Sequence, residues 1–366
     1  MTRPLVADIN LHALRHNFAL IQALNPSGST LAVLKADAYG HGALPAAQAL
    51  ADLAPAFAVA SLEEAQALRQ QGITHPILLL EGFFSADELP IIAEQGYWLM
   101  IHSQWQVEAL TAYQAQIQQP TAWTLWIKVD SGMHRLGFAP QHLPSILAKL
   151  EKLAPQSMLL ASHCARADEL DHPLTQQQIS CMQELAHQTG LPVSLANSAA
   201  SLAWPAARFT WQRPGIALYG MSPFTGPQPE ADQLQPVMTL RSALIAIQDY
   251  PAGSQIGYGG RGVLPEGGRV GVVACGYGDG YPRQAVEGTP VLVNGQRCPL
   301  IGRVSMDMLM VNLSHLPQAQ VGDQVELWGA RLPAQEVARY CDTISYTLLT
   351  GLLPRVPRRY LNPAQA

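Results

Sequence analysis

The chain has 366 residues, of which 48% are hydrophobic and 13% are charged, and its formal net charge is −5 at pH 7. A weakly acidic chain without a basic run is a poor partner for nucleic acid or for an anionic membrane surface, so we expect neither. No apolar run is long enough to cross a bilayer and no signal-peptide pattern begins the sequence, which predicts a soluble cytoplasmic protein. The five cysteines are scattered and show no Cys-x-x-Cys spacing, so we predict neither disulfides nor a metal site.

Short apolar runs alternate with helix-like stretches through the first two-thirds of the chain. We predict eight buried strands from this alternation, at 31–34, 57–60, 77–80, 97–101, 124–129, 158–161, 193–196 and 216–219. Ser61 and Glu64 begin one of the helical stretches with the pattern of a capping box. The alternation favours an α/β fold with a parallel (β/α)8 TIM-type barrel. The alternative is an open doubly wound sheet, although no Gly-x-Gly-x-x-Gly follows the first strand.

Lys35 ends the first apolar run and is one of only four lysines in the chain. A lysine at the end of a buried strand loses hydration, which lowers the pKa of its amine and makes it a nucleophile or a Schiff-base former. The plain alternative is a lysine whose amine reaches solvent from the strand end. Lys35 is therefore a candidate catalytic residue in a barrel, where function lies at the carboxyl ends of the strands.

Ionisable and polar residues also follow the other predicted strands. They are Glu81, Lys128 with Asp130, His163, Asn197 with Ser198, and Arg213 followed by Pro214 and Gly215. The loops after the last two strands of a barrel often bind phosphate. A hydroxyl from Ser198 and backbone N–H groups from Gly215 and Ile216 suit an anionic ligand there, although Ser198 is equally compatible with a helix cap.

The sequence pattern changes near residue 231 to short β-rich segments separated by turns. We therefore predict two domains, a barrel at 8–230 and a mostly antiparallel β domain at 231–366. Asn294-Gly295 between two apolar runs predicts a two-residue hairpin. Glycine-rich segments around Tyr258 and Tyr277 place tyrosines on loops of this second domain, where the simplest interpretation is ordinary turns with aromatic anchors.

Seven segments together resemble the alanine racemases, which are pyridoxal-phosphate enzymes built from a barrel and a β domain, and the resemblance covers nearly the whole chain. The segments are Ala32-Val33-Leu34-Lys35-Ala36-Asp37-Ala38-Tyr39-Gly40-His41-Gly42, Lys128-Val129-Asp130-Ser131-Gly132-Met133-His134-Arg135-Leu136-Gly137, Ala196-Asn197-Ser198-Ala199, Arg213-Pro214-Gly215-Ile216-Ala217-Leu218-Tyr219-Gly220, Gly257-Tyr258-Gly259, Gly276-Tyr277-Gly278-Asp279-Gly280 and Gly302-Arg303-Val304-Ser305-Met306-Asp307. The resemblance implies a bacterial isomerase that interconverts L-alanine and D-alanine, for peptidoglycan supply or for alanine catabolism.

The resemblance also implies how pyridoxal 5'-phosphate is bound. Lys35 would form a Schiff base with the cofactor, and Arg213 would contact its pyridine nitrogen. An arginine there leaves this nitrogen unprotonated, which weakens the ring as an electron sink and suppresses transamination. The remaining implied cofactor contacts are Tyr39, Asn197, Ser198, Gly215, Ile216 and Tyr346.

Racemisation needs a base on each face of Cα, and the resemblance implies Lys35 for one face and Tyr258 for the other. A free phenol, with a pKa of about 10, is a weak base at neutral pH, so His163 and Arg213 would have to acidify it. In the family this tyrosine comes from the second subunit, which implies a homodimer with shared active sites. Substrate contacts are implied for Arg135, Tyr277, Met306 and Asp307.

Lys128 matches a position that is carbamylated in some members of the family, where the carbamate would orient Arg135. The alternative is an unmodified lysine that pairs with a nearby carboxylate.

Three rival functions fit parts of the sequence. A broad-specificity racemase of the same fold would be periplasmic, whereas no signal-peptide pattern is present. A fold-related amino-acid decarboxylase would place a glutamate at the pyridine nitrogen and carry a C-terminal cysteine motif, which this sequence lacks. A single-barrel protein that binds pyridoxal phosphate without catalysis would have no domain equivalent to 231–366.

Overall fold

The computed structural model describes residues 3–117 and 121–361. The chain forms two compact units. One unit contains Leu14–Ala38 and Ala43–Leu234, and we call it the barrel unit. The other, the β-rich unit, contains the described residues up to Ala13, the short segment Tyr39–Gly42, and the described residues from Gln235 onward.

The strands and helices are short and regular. The first ten strands are β1 (Val6–Asn10), β2 (Ser29–Thr30), β3 (Ala32–Val33), β4 (Phe57–Val59), β5 (Ile77–Leu79), β6 (Trp98–Ile101), β7 (Thr124–Lys128), β8 (Ser157–Ala161), β9 (Val193–Ser194) and β10 (Trp211–Gln212). They are followed by β11 (Met238–Tyr250), β12 (Ser254–Ile256), β13 (Gly262–Leu264), β14 (Gly268–Val273), β15 (Pro290–Val293), β16 (Gln296–Pro299), β17 (Leu309–Asn312), β18 (Gln324–Trp328) and β19 (Arg358–Leu361). The helices are α1 (Leu11–Ala23), α2 (Lys35–Gly40), α3 (Ala43–Leu50), α4 (Leu62–Gln70), α5 (Leu89–Gln95), α6 (Gln104–Gln116), α7 (Leu143–Leu150), α8 (Leu174–Thr189), α9 (Ser198–Ala203), α10 (Ala334–Tyr340) and α11 (Ser345–Thr350).

The sheet of the barrel unit is parallel throughout, with strand order β2-β10-β9-β8-β7-β6-β5-β4-β3. Its two end strands, β2 and β3, are separated in the sequence only by Leu31, whose N–H donates to the carbonyl of Gln212 on β10 at 2.9 Å. The sheet therefore closes on itself as an eight-stranded barrel. The predicted (β/α)8 barrel is confirmed, and the open sheet is excluded.

The core of the barrel is closed at one end by three tryptophans. Trp98 and Trp211 begin β6 and β10, and their rings lie 5.7 Å apart between centroids, in contact with Trp126 of β7. Because β6 and β10 are not neighbours in the sheet, this contact crosses the barrel interior. Tryptophans at the amino ends of strands fill the end of the barrel opposite to the one where function is expected.

The last predicted strand is wrong. Residues Ile216–Tyr219 form a 3₁₀ helix, and the strand that completes the barrel is Trp211–Gln212, just before Arg213. All four residues of the 3₁₀ helix are buried, and the Tyr219 hydroxyl donates to the Val33 carbonyl at 2.7 Å. A short apolar run predicts burial but does not distinguish a strand from a buried helical turn.

The predicted capping box at the start of α4 is also wrong. The Ser61 side chain does not cap the helix, and the Glu64 carboxylate accepts the N–H groups of Ala60, at 2.8 Å, and of Ala36, at 2.7 Å. Glu64 is therefore used to hold the chain immediately after Lys35 rather than to close the helix end.

The β-rich unit is built on a mostly antiparallel sheet, as predicted. The order β16-β15-β18-β11-β1-β19 contains one parallel pair, β1 with β19, while β14 pairs with both β11 and β17. The turn Asn294-Gly295 joins β15 to β16 with φ values of 49° and 82°, which confirms the predicted hairpin. Among the described residues, no helix combines the length and the hydropathy that a membrane crossing requires.

Candidate active site

The carboxyl ends of the barrel strands carry the predicted ionisable residues of the barrel unit. Lys35 lies two residues beyond β3, Lys128 is the last residue of β7, His163 follows β8, and Arg213 directly follows β10. Because the strands are parallel, these ends open on the same rim of the barrel. The fold thus places residues that are far apart in the sequence on one side of the sheet.

The segment that follows Lys35 is a left-handed helical turn. Ala36, Asp37, Ala38 and Tyr39 have φ angles of 52° to 53°, although none of them is glycine. A left-handed conformation costs about 1–2 kcal/mol for each non-glycine residue, so this turn is held against an unfavourable local free energy. A strained backbone that persists at a strand end is a common feature of binding and catalytic sites.

Hydrogen bonds within the barrel unit hold this turn. The N–H of Ala36 donates to the Glu64 carboxylate at 2.7 Å, and the N–H of Ala38 donates to the Leu34 carbonyl at 2.8 Å. The Asp37 carboxylate accepts the N–H of Ala43 at 2.7 Å. Glu64 gave no sign of this role in the sequence, where it was consistent with an ordinary helix cap.

The rim of the barrel contains a cluster of cationic side chains. Burial, together with the positive charges of Arg213, Arg135 and Lys35, lowers the pKa of the Lys128 amine to about 7, against the opposing effect of Asp130. Of these groups Arg135 is exposed, whereas Lys128 is half-buried. About half of the Lys128 amines are therefore neutral at pH 7. The remaining positive charges of the rim would stabilise an anionic ligand.

The Asp130 carboxylate forms its hydrogen bonds within its own loop. Its carboxylate accepts the N–H groups of Gly132, at 3.1 Å, and His134, at 3.0 Å, and it lies 3.1 Å from the His134 ring. In the described part of the chain, the ion pairs of the structure do not include Lys128. The alternative of a Lys128 salt bridge with a neighbouring carboxylate therefore has no supporting contact.

His163 is held in its neutral form. Burial lowers the pKa of its imidazole well below the ordinary value, and the charges of Lys128, Arg213, Arg135 and Lys35 act in the same direction. A neutral imidazole can donate a hydrogen bond from one nitrogen and accept one at the other. His163 is therefore suited to link a donor to an acceptor.

Arg213 is buried, with 5% of its surface exposed, and its guanidinium donates to the Ser194 hydroxyl and to the Ser162 carbonyl. Burial lowers its pKa to about 10, so the group remains a cation at neutral pH. Both of these acceptors are neutral, so its positive charge is not cancelled by a carboxylate. Such a guanidinium can serve as a fixed donor to a ligand atom.

Ser198 and Gly215 are in direct contact. The Ser198 hydroxyl accepts the N–H groups of Gly215, at 2.9 Å, and Ala217, at 3.2 Å. Asn197 caps α9 by accepting the N–H of Ala200 at 3.1 Å, and its amide donates to the Cys164 carbonyl at 3.0 Å. The loops after β9 and β10 are thus joined at Ser198, whose own O–H is a neutral donor.

These groups fit pyridoxal phosphate. The cofactor needs an amine for its aldehyde, a partner for its ring nitrogen and donors for its phosphate. Lys35, Arg213 and the donor set around Ser198 supply these three requirements from the rim of the barrel unit. The cationic character of the rim also matches a phosphorylated ligand.

The other predicted site residues belong to the β-rich unit. Tyr39 and Tyr346 pack against each other with ring centroids 6.0 Å apart, and burial raises the pKa of Tyr39 to about 12. Tyr277 and Met306 are neighbours, because the N–H of Gly278 donates to the Met306 carbonyl at 2.8 Å. The Asp307 carboxylate accepts a hydrogen bond from Arg355 at 2.6 Å.

Tyr258 lies in the turn between β12 and β13, with 71% of its surface exposed. The end of β12 lies close to Gly302, since a Cβ at Gly302 would lie 2.8 Å from the Ile256 carbonyl. Met306 is 53% exposed. The β-rich unit therefore presents a tyrosine and a methionine at its surface.

A closed parallel barrel with a cationic rim, joined in sequence to a β-rich unit, places the chain among the proteins built on a (β/α)8 barrel. Family models for the N-terminal and C-terminal domains of alanine racemase match residues 9–223 and 237–360. The chain therefore belongs to the alanine racemase family.

Individual relatives cover the whole chain. It is 54% identical to an alanine racemase of Chromohalobacter salexigens, over 99% of both chains. It is 50% identical to a catabolic alanine racemase of Pseudomonas putida, over 98% of this chain and 99% of the relative. The solved structure of a biosynthetic alanine racemase from Pseudomonas aeruginosa aligns with a TM-score of 0.94 at 48% identity, covering 99% of this chain and 100% of that one.

Proposed function

We propose that this protein interconverts L-alanine and D-alanine with pyridoxal 5'-phosphate as its cofactor. The observation that carries the proposal is the rim of the barrel unit, where Lys35 shares the strand ends with the buried Arg213 and with the donors around Ser198. The full-length similarity to alanine racemases of several bacteria supports the same activity. When bound, the cofactor supplies an electron sink that acidifies the Cα hydrogen of the amino acid.

The residues of this chain would then move the Cα proton. Lys35 would hold the cofactor and would remove or return the proton on one face. Tyr258 does the same on the opposite face. His163, whose pKa is lowered by burial and by the surrounding cations, would relay between the Tyr258 hydroxyl of the second subunit and the Arg213 guanidinium, and Arg213 would contact the ring nitrogen.

Phosphate and substrate would be held by separate sets of groups. Ser198, Gly215 and Ile216 bind the phosphate together with Tyr39 and Tyr346, and Asn197 supports this loop. Arg135 receives the substrate carboxylate. Tyr277, Met306 and Asp307 would contact the substrate, and Tyr258 and Tyr346 would narrow the entrance to suit a methyl side chain.

We also propose a homodimer in which residues 8–230 bind the cofactor and residues 231–366 of the second subunit supply Tyr258. The exposure of Tyr258 and Met306 supports this arrangement, because a partner surface would cover them. The relatives carry both biosynthetic and catabolic names, so D-alanine supply for peptidoglycan and alanine breakdown are both consistent with the family.

Proton exchange at Cα tests the proposed function directly. The purified protein, loaded with pyridoxal phosphate, is incubated with L-alanine in D2O while NMR follows the Cα signal and a D-amino-acid oxidase assay follows chirality. We expect deuterium incorporation together with D-alanine. Exchange without D-alanine would remove Tyr258 from its role, and the absence of both signals from loaded protein would contradict the proposal.

Lys128 carbamylation gives a second prediction. Carbon dioxide reacts with neutral amines, and an amine with a pKa of about 7 is about half neutral at pH 7, whereas an ordinary lysine is almost fully protonated. We expect a carbamate carbon signal in ¹³C NMR after exchange with labelled bicarbonate. The signal should persist above pH 7 and decline as the pH falls below it, because the amine then takes up a proton.

Lys128→Arg should lack this carbon signal, while Lys152→Arg, on the protein surface, should retain it. A signal that survives Lys128→Arg would show that another amine is modified, and the absence of any signal in the parent protein would favour the unmodified lysine.

A further inference from the structure

The side chain of Gln178 occupies an unusual position on helix α8. The buried face of this helix otherwise carries Thr175, Ile179, Met182 and Leu185, and Gln178 itself is 0% exposed. Burying an amide is unfavourable unless its hydrogen-bonding groups find partners. The partners of Gln178 therefore show what the residue contributes.

Two of these partners belong to the loop that carries His163. The Gln178 amide donates to the His163 carbonyl at 2.9 Å, and its side-chain oxygen accepts the N–H of Ala165 at 2.9 Å. The carbonyl of the intervening Cys164 accepts the Asn197 amide at 3.0 Å. Three consecutive residues of this loop are thus fixed by side chains from outside it.

The third partner of Gln178 leads towards Arg213. The Gln178 amide also donates to the Ser131 hydroxyl at 3.2 Å, which lies 2.7 Å from the Ser162 hydroxyl. The Ser162 hydroxyl donates to the Val129 carbonyl at 2.8 Å, so the Ser131 hydroxyl is the donor between the two serines. The carbonyl of the same Ser162 accepts the Arg213 guanidinium.

We infer that Gln178 is a positioning residue for racemisation, an inference that rests on the proposed function. Its carboxamide fixes the backbone at His163 and the loop at Ser131. It thereby keeps the imidazole of His163 at a fixed position relative to the guanidinium of Arg213. A general base or its relay must be placed to within a fraction of an ångström, and a displacement of 1 Å costs about 100-fold in rate. Gln178 acts through His163 and does not touch the reacting atoms.

The charges that face His163 determine how its pKa should change when its loop is no longer held by Gln178. Lys128 on β7, Arg213 after β10, Arg135 on the loop after β7 and Lys35 after β3 all oppose protonation of the imidazole, together with its burial. If the loop loosens, water reaches the imidazole and its pKa rises towards the ordinary value. The fraction of protein with a neutral His163 then declines at a higher pH than in the parent protein.

Gln178→Met tests the inference, since methionine has a similar length and shape but cannot replace the amide hydrogen bonds. The chain offers a matched control in Gln106 on α6, which is also 0% exposed. Its side-chain oxygen accepts the N–H of His102 at 2.9 Å, and its amide donates to the Phe83 carbonyl at 3.1 Å. Gln106→Met therefore removes an equivalent clamp from the loops after β5 and β6.

We expect Gln178→Met to lower kcat by about 10- to 100-fold and to move the acid limb of the kcat pH profile to higher pH. Gln106→Met should keep kcat within about two-fold of the parent value and should leave the acid limb of the pH profile in place. We expect this even if the two variants lose similar thermal stability. Ser131→Ala, which breaks only the third contact, should shift the limb in the same direction by less.

A titration of His163 provides a readout independent of activity. In the full-length protein with ¹³C-labelled histidine, NMR should show His163 titrating at higher pH in Gln178→Met and unchanged in Gln106→Met, with His163→Gln assigning the signal. The inference would be overturned if Gln178→Met shifted neither the acid limb of the kcat pH profile nor the titration of His163. A parent protein that fails to racemise alanine would instead contradict the proposed function, while the titration would still judge whether Gln178 positions the imidazole.

Discussion

Replacing Lys35 by alanine is expected to abolish racemisation, with a loss of at least about 10⁴-fold in kcat. Lys35 would supply both the covalent attachment of the cofactor and one of the two bases, and the other lysine at the described rim, Lys128, lies at the end of a different strand, β7. Pyridoxal phosphate held only by the donors around Ser198 would also exchange freely with solution.

Borohydride reduction followed by mass spectrometry of tryptic peptides checks this prediction. In the parent protein the cofactor mass should appear on the peptide that contains Lys35, and it should be absent from Lys35→Ala. Lys149→Ala removes an exposed lysine of α7 and serves as the control, with activity and labelling unchanged. A labelled peptide elsewhere, or normal turnover by Lys35→Ala, would assign the attachment to a different residue.

Replacing Tyr258 by phenylalanine is expected to lower kcat by about 10²- to 10⁴-fold, because the ring stays in place while the base on one face is lost. The two enantiomers have equal free energies, so kcat/KM must stay equal in the two directions. The difference between the two directions instead appears in which proton transfer limits the rate. The enantiomer whose proton Tyr258 removes should show an increased deuterium isotope effect at Cα, while the other should exchange its Cα hydrogen with D2O without inversion.

Tyr340→Phe removes a hydroxyl from another partly exposed tyrosine of the same unit and is the control for this experiment. A small loss of kcat, with isotope effects that stay unchanged for both enantiomers, would contradict the two-base assignment. Isotope effects and washout can be measured on the same samples. A folding defect would be recognised because it lowers the amount of active protein without changing the isotope effect for either enantiomer.

Mixing the two inactive variants tests whether each active site is shared. If Lys35 and Tyr258 of one site come from different subunits, a mixed dimer of Lys35→Ala and Tyr258→Phe contains one intact site. Random reassociation then restores about one quarter of the parent activity, since half of the dimers are mixed and half of their sites are intact. No recovery after demonstrated mixing would place both residues in the same subunit.

Much of the barrel could be predicted because its strands are short apolar runs that end in polar residues. This alternation located seven of the predicted barrel strands and the strand-end positions of Lys35, Lys128 and His163. It failed at Ile216–Tyr219, since full burial removes the periodicity that separates strands from helical turns. The true strand, Trp211–Gln212, is too short to form a recognisable run.

The support of the site was much less visible in the sequence. Glu64 looked like a helix cap and Gln178 like one of several glutamines on α8, because their roles depend on backbone groups that lie far away in the sequence. A polar residue at a core-facing helical position was the available signal for Gln178. Only the three-dimensional arrangement shows which backbone groups such residues hold.

The left-handed turn after Lys35 is an exception to a common strategy of protein engineering, the replacement of glycine by alanine. Replacing glycine by alanine stabilises a protein where the native φ and ψ angles suit alanine, because it reduces the entropy of the unfolded chain. At Ala36 and Ala38 the native φ angles are positive, so alanine is the strained residue and glycine the relaxed one. Thermostable variants sought by filling this segment with helix-forming residues would therefore work against the conformation that places the lysine.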